Sequence, residues 1–214
     1  MSPEEHNSTH QNRAVREPPL SITNPQLPVR GVSQAMLSAV RVGLWSAAVV
    51  AVGYLLSLIP NVEGVTLTIA LAGATLGVRA GIAVGCIGEA LYSLFNPWGP
   101  PGFFLLLAQI IGMASVGGVA GALSPVLSSD RVIVRLAWGL FGVTISLWYD
   151  LLTTLSFPLL AGMTGVSMAT IMMAQIPFTA IKMVVNAALF GIAFIPLRSR
   201  LRLVLASSIL RGNR

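Results

Sequence analysis

Leu76–Gly81 reads LGVRAG, and it falls midway along an apolar run from Val65 to Phe95. If residues 65–95 form one helix, Arg79 sits in the middle of it, where an unpaired guanidinium is expensive in hydrocarbon. If the chain breaks at LGVRAG, two short helices result, Val65–Gly77 and Ala80–Phe95, and Arg79 returns to an edge. The choice sets the parity of every later crossing.

Outward from that point, four more apolar stretches appear: Met36–Leu58, Phe103–Leu123, Val132–Leu155 and Thr170–Ile195. Crossing the hydrocarbon layer takes ~20 helical residues. The chain is 55% hydrophobic and only 9% charged, against about 25% charged in an ordinary soluble domain. Its mean hydropathy is +0.81. The short alternating segments of a membrane β-barrel are absent from this pattern. The expected fold class is all-α, a polytopic membrane protein.

Arginine placement decides between five and six crossings. With six, Arg13, Arg16, Arg30, Arg41, Arg79, Arg131, Arg135 and the group Arg198, Arg200, Arg202, Arg211 and Arg214 all fall on one side. The opposite loops, 59–64, 96–102 and 156–169, hold no Lys or Arg. Five crossings would split the arginines. The positive-inside rule therefore selects six transmembrane helices with both termini cytoplasmic, in a multi-pass cell-membrane protein. The net charge of +6 is then a topology signal, and no nucleic-acid partner is expected. Residues 1–32, polar and Pro-rich, read as a disordered cytoplasmic tail. Residues 33–200 form the membrane domain, and 201–214 a basic cytoplasmic tail. Residues 156–169 admit a loop, a re-entrant turn or an extension of the flanking helices.

In this orientation the costly polar groups gather beneath the arginine-free face. Glu89 lies ~9 Å below the loop 96–102 at helical rise. Gln109, Asp150 and Gln175 are also in that half, with Lys182 and Asn186 deeper and Asn61 and Glu63 in the first loop. Tyr54, Tyr92 and Tyr149 fall at the same end, with Phe95, Trp98, Trp148 and Phe157. Apolar walls with a few polar groups describe a small-molecule pocket, with the loop NPWGPPG as its lid. Competing readings stand beside this one. Trp98 and Trp148 suit an interfacial aromatic belt, Gln109 and Gln175 suit helix-to-helix hydrogen bonds, and Glu89, Asp150 and Lys182 suit a structural ion pair.

Ala35, Ala39, Gly43, Ala47 and Ala51 recur every fourth residue in the first helix. This spacing makes a flat face that lets another helix approach closely. Gly81 and Gly85 in the third helix and Gly117 and Gly121 in the fourth read as internal packing.

Catalytic signals are few. No Walker-type loop is present, and the one lysine, Lys182, is in a helix. The two histidines, His6 and His10, lie in the tail, so no metal ligand set and no His-based nucleophile pair is expected in the membrane. The single Cys86 forms no internal disulfide. No cofactor is expected. Binding or transport is favoured over catalysis.

Three runs, IPNVEGVT (Ile59–Thr66), GATLGVRAGIAVGCIGEALYSLFNPWGPPG (Gly73–Gly102) and LLLAQIIGMASVGGVAGAL (Leu105–Leu123), together resemble the substrate-binding S components of energy-coupling factor (ECF) vitamin transporters. The resemblance covers about residues 36–200. It implies six helices with cytoplasmic ends and a vitamin or vitamin precursor held near the outer face. It also implies a membrane T component and two ATPase subunits as partners. The family's Ala-x-x-x-Ala motif, which contacts the T component, has its spacing here at Ala47 and Ala51 and again at Ala35 and Ala39. Cobalt and nickel relatives use a histidine near the chain start; here Ser2 and Pro3 follow Met1, which turns the expectation to an organic substrate. On this reading Glu89, Gln109, Asp150, Gln175, Lys182 and Asn186 orient the ligand. Tyr92, Trp98 and Tyr149 supply aromatic walls. Two other classes remain open: a small membrane enzyme acting on a lipid through Glu89 or Asp150, and a structural subunit whose polar residues only join helices.

Overall fold

A computed structural model describes residues 33–57, 64–163 and 165–212. The tail 1–32 and the loop residues Asn61 and Glu63 lie outside the described residues. Every described element is helical: α1 (Gln34–Leu56), α2 (Gly64–Leu76), α3 (Val78–Leu94), α4 (Phe103–Leu123), α5 (Val132–Leu160), α6 (Val166–Ala188), a π-helical turn (Leu189–Ala193) and α7 (Phe194–Gly212). Four helical stretches are long and apolar enough to cross a membrane: Gln34–Leu56, Phe103–Leu123, Val132–Ser156 and Val166–Leu203. This is compatible with a multi-pass membrane protein.

The break in LGVRAG is real and falls on Gly77. Its φ of 94° lies in the left-handed region that a side chain disfavours. Arg79 then sits exposed at the start of α3. The 13-residue α2 spans only ~20 Å at helical rise, less than the ~30 Å hydrocarbon layer. It is buried almost all round, with Val65, Ile69, Ala70, Leu71, Ala72 and Ala74 in the core. A helix without a charged residue and buried on nearly every face belongs inside a bundle, and α2 packs against α1, α3, α4 and α7.

Glycines make that packing possible. A β-carbon on Gly73 or Gly81 would strike the backbone of Gly117, one on Gly117 would strike Gly81, and one on Gly85 would strike Met113. So α2, α3 and α4 touch main chain to main chain. The glycines expected to serve internal packing do so, with Gly121 against Val78.

At the end where α2 and α4 finish, Arg198 of α7 donates to the carbonyls of Ser124 (2.7 Å) and Leu127 (2.9 Å). It also donates to the Ser124 hydroxyl, which in turn donates to the Ala74 carbonyl at 2.7 Å. Arg202 reaches the same carbonyl at 3.2 Å. A cation is favoured at helix C-termini, where carbonyls lack intrahelical partners. Counted in the sequence as a topology charge, Arg198 is instead a buried clasp, 4% exposed.

Three boundaries are fixed by the structure. Residues 156–169 are mostly helix extension: α5 runs through Pro158 to Leu160, a turn closes with Met163 N–H on the Pro158 carbonyl at 2.9 Å, and α6 starts at Val166. α6 passes through the π turn into α7 without a break. The π turn ends at Ala193, three residues before Pro196, and includes Ile192, whose carbonyl the proline ring rejects in α geometry. Local widening of the helix relieves this. Finally, the stretch from residue 201 is helical up to Gly212 and continues the element that carries Arg198.

Candidate functional site

The hydrogen bond of the Tyr54 hydroxyl to the Phe95 carbonyl joins the C-terminal ends of α1 and α3. It marks the end of the bundle opposite the Arg198 clasp. The polar residues collect toward this arginine-poor end, on α3, α5 and α6.

Glu89 is 1% exposed. Its carboxylate accepts from Ser93, one turn on, at 3.1 Å, and from the Tyr149 hydroxyl of α5 at 3.3 Å. Tyr149 has room to reach it because Gly112 of α4 offers no side chain; a β-carbon there would strike the ring. Over the same ring lies the Lys182 ammonium, 5.4 Å from the centroid, within cation–π range. Lys182 donates to Asp150 at 2.6 Å. The other Asp150 oxygen accepts from Thr179 at 2.6 Å. One turn further along, Asn186 donates to Ser146 at 2.7 Å, and its side-chain oxygen is buried without a hydrogen-bond partner.

These contacts form a continuous belt: Ser93, Glu89, Tyr149, Lys182, Asp150 and Thr179. Local spacing produces it. Gln175, Thr179, Lys182 and Asn186 are four, three and four residues apart, which aligns them on one helical face. Gly142, Ser146, Tyr149 and Asp150 do the same on α5, where a β-carbon at Gly142 would strike the Asn186 carbonyl. The two helices therefore approach closely along their polar faces. The buried ions are each bound in a hydrogen-bonded arrangement, the condition under which burial is tolerable.

Beside the belt, a cavity of about 250 Å³ opens between α5 and α6. Asp150, Thr154, Gln175 and Thr179 are its polar members; Leu151, Met172 and Met183 contribute apolar wall. This falls just below the ~300–1,000 Å³ typical for ligand pockets. Two flexible methionines suit a wall that must adjust to a guest. Comparison with family models, curated proteins and solved structures gave no match.

Of the residues expected to form one pocket, Asp150 and Gln175 line this cavity, Glu89, Tyr149 and Lys182 belong to the belt behind it, and Asn186 pairs with Ser146 one turn beyond. The others lie elsewhere. Trp98 is 80% exposed on the α3–α4 loop, where its backbone N–H donates to the Asn96 side-chain oxygen at 2.9 Å. Tyr92 is seated over Gly53 and packs on Tyr54 with centroids 5.8 Å apart, so it joins α3 to α1. Gln109 is half-buried on α4, its side-chain oxygen without a hydrogen-bond partner. Ser93 and Thr179 of the belt, and Ser146 beside it, escaped the sequence reading. The signal was present: each stands three or four residues from Glu89, Asp150 or Lys182.

Ala35, Ala39, Gly43, Ala47 and Ala51 are all exposed, and nothing in the chain approaches Gly43. The small-residue face of α1 is not spent on packing within the described residues.

Proposed function

We propose that this chain is the substrate-capturing membrane subunit of an ATP-driven uptake system, with an organic micronutrient as its ligand. It crosses the membrane six times with both ends cytoplasmic, and the α5–α6 cavity faces the outer half. The arginine-free loops and the placement of Arg79, Arg131, Arg135 and Arg198 at the opposite end support this orientation. The observation that carries the reading is the cavity wall itself. Asp150, Gln175, Thr154 and Thr179 offer a carboxylate, an amide and two hydroxyls in an otherwise apolar groove, and this combination orients a small polar organic molecule.

The ligand is neutral, zwitterionic or cationic. Asp150 offsets Lys182, and Glu89 adds negative charge to the belt, so a dianion would be repelled. The chain supplies binding and not chemistry; a T component and two ATPase subunits supply energy. The exposed face of α1 is the docking surface for the T component. Its flatness permits close helix approach, and the resemblance to S components places the Ala-x-x-x-Ala contact there.

One observation favours a rival. Asp150 and Lys182 satisfy each other, as they would if they only joined α5 to α6. Native mass spectrometry of gently purified protein separates the two. The transport reading expects a co-purifying small molecule, lost in Gln175→Leu and Thr179→Val while the protein stays folded. Ligand-free wild type, taken from cells supplied with a rich medium, would leave the helix-joining role alone. Turnover of a lipid by the purified chain would instead point to an enzyme.

A further inference from the structure

A second groove runs between α5 and the junction of α6 with the π turn, at the arginine-bearing end. Its volume is about 470 Å³. Gly139 and Gly191 form its floor, since the two backbones approach there. Its rim is Leu136, Leu140 and Ile192, which are 63%, 66% and 70% exposed. Such a channel requires apolar cover. Arg135 closes it at the start of α5, the depth at which a span meets the headgroup layer. Arg131, also exposed, stands one turn earlier and shares its face.

The charges at this end do not cancel. Asp130 pairs with Arg135 at 2.7 Å and takes its Nε–H at 2.8 Å, which leaves Arg131 in excess. A guanidinium carries five N–H donors. Two of those on Arg135 point to Asp130, and the rest remain for a phosphate.

We propose that this groove holds one anionic phospholipid, its phosphate between Arg131 and Arg135 and one acyl chain over Gly139 and Gly191. An acyl chain is the apolar object that continues directly from a phosphate. Basic pockets between helices at the cytoplasmic face bind anionic headgroups for the same electrostatic reason. A zwitterionic lipid brings its own ammonium into a site already in positive excess. The proposal rests on the membrane reading and is independent of the micronutrient cavity at the other end.

The test uses the full chain in nanodiscs of DOPC and DOPG in equal parts, released gently for native mass spectrometry. Wild type is expected to retain one DOPG, preferred over DOPC by roughly tenfold. The double variant Arg131→Gln/Arg135→Gln should lose the preference while remaining monodisperse. Leu140→Trp, at the exposed rim, should lower retention of both lipids by obstructing the chain. Equal retention of DOPG and DOPC by wild type, or a preference unchanged in the double variant, overturns the proposal. So does a Leu140→Cys variant that crosslinks to a second copy of the chain in those nanodiscs. None of these readouts depends on a micronutrient, so this site and the transport reading fail separately.

Discussion

In α1, Ala35, Ala39, Gly43, Ala47 and Ala51 recur every fourth residue, and all are exposed. In α3 and α4, Gly81, Gly85, Gly117 and Gly121 recur at the same spacing and lie where backbones touch. One signature has two fates. Spacing specifies a flat strip on a helix; it does not specify what covers the strip. The difference comes from neighbours. Gly81 faces Gly117 and Gly85 faces the main chain at Met113 and Ala114, so the backbones of α3 and α4 meet with no side chain between them. α1 turns Ser46, Val49 and Gly53 toward the bundle, where Gly88 meets Val49 and Tyr92 meets Gly53. Its alanines are left on the outside.

The largest break of this comparison should come from Gly117→Leu. Its side chain would enter the Gly81 backbone, which cannot move aside as a flexible side chain could. Overpacking alone costs typically 1–3 kcal/mol and more where backbone is the obstacle. Loss of the monodisperse peak in size-exclusion chromatography is expected, whereas Gly43→Leu should keep it. Equal behaviour of the two variants would end the distinction between a spent and an unspent strip.

The buried pair is next. Lys182→Met leaves Asp150 without its cation, a change worth about 3–5 kcal/mol in a buried site. The double variant Lys182→Met/Asp150→Leu should recover most of that loss in denaturant or thermal unfolding. Recovery would show that the pair is not required for stability and is available for binding.

Smaller still is Tyr149→Phe, which removes one hydroxyl from Glu89. A hydrogen bond to a charged group contributes roughly 1.5–3 kcal/mol, and part of this is retained because Ser93 remains. Thermal unfolding should fall by less than in Lys182→Met. A Tyr149→Phe variant at least as destabilised as Lys182→Met would move the centre of the belt to Glu89.

The smallest effect on stability belongs to Ala47→Leu. An exposed substitution of this kind stays within about ±0.5 kcal/mol. If the α1 strip docks another subunit, co-purification of the T component should nonetheless be lost. Intact association with unchanged stability would remove α1 from the docking surface.

Much of the fold was legible. LGVRAG marked the α2–α3 break to within a few residues because Arg79 could not be left inside an apolar helix. α4 was delimited as Phe103–Leu123, since the Gly/Pro-rich loop before it and the Ser/Pro turn after it punctuate the chain. The C-terminal side was less legible. Helix continues past both Pro158 and Pro196, and at Pro196 the contact of α7 with α2 and the Arg198 hydrogen bonds to Ser124 and Leu127 override the local signal. The site was legible as a list and not as an assembly. Glu89, Tyr149, Asp150 and Lys182 were all named, but their partition into a belt and a separate cavity wall depends on which way α5 and α6 face. Trp98 was grouped with them by depth alone, and depth says nothing about angle around the bundle.

From the sequence alone came the helical class, the number of apolar segments, the charge asymmetry between the two ends and the identity of the costly polar groups. These follow from hydropathy and spacing, which act along the chain. Tertiary structure alone decided that α2 is a core helix, that Arg198 clasps the ends of α2 and α4, and that Lys182 meets Asp150 beside Tyr149. Those outcomes depend on rotation of each helix about its axis, and that rotation is set by close contacts that exist only once the helices are together: main chain on main chain at Gly73, Gly81 and Gly117, and the Tyr149 ring on Gly112.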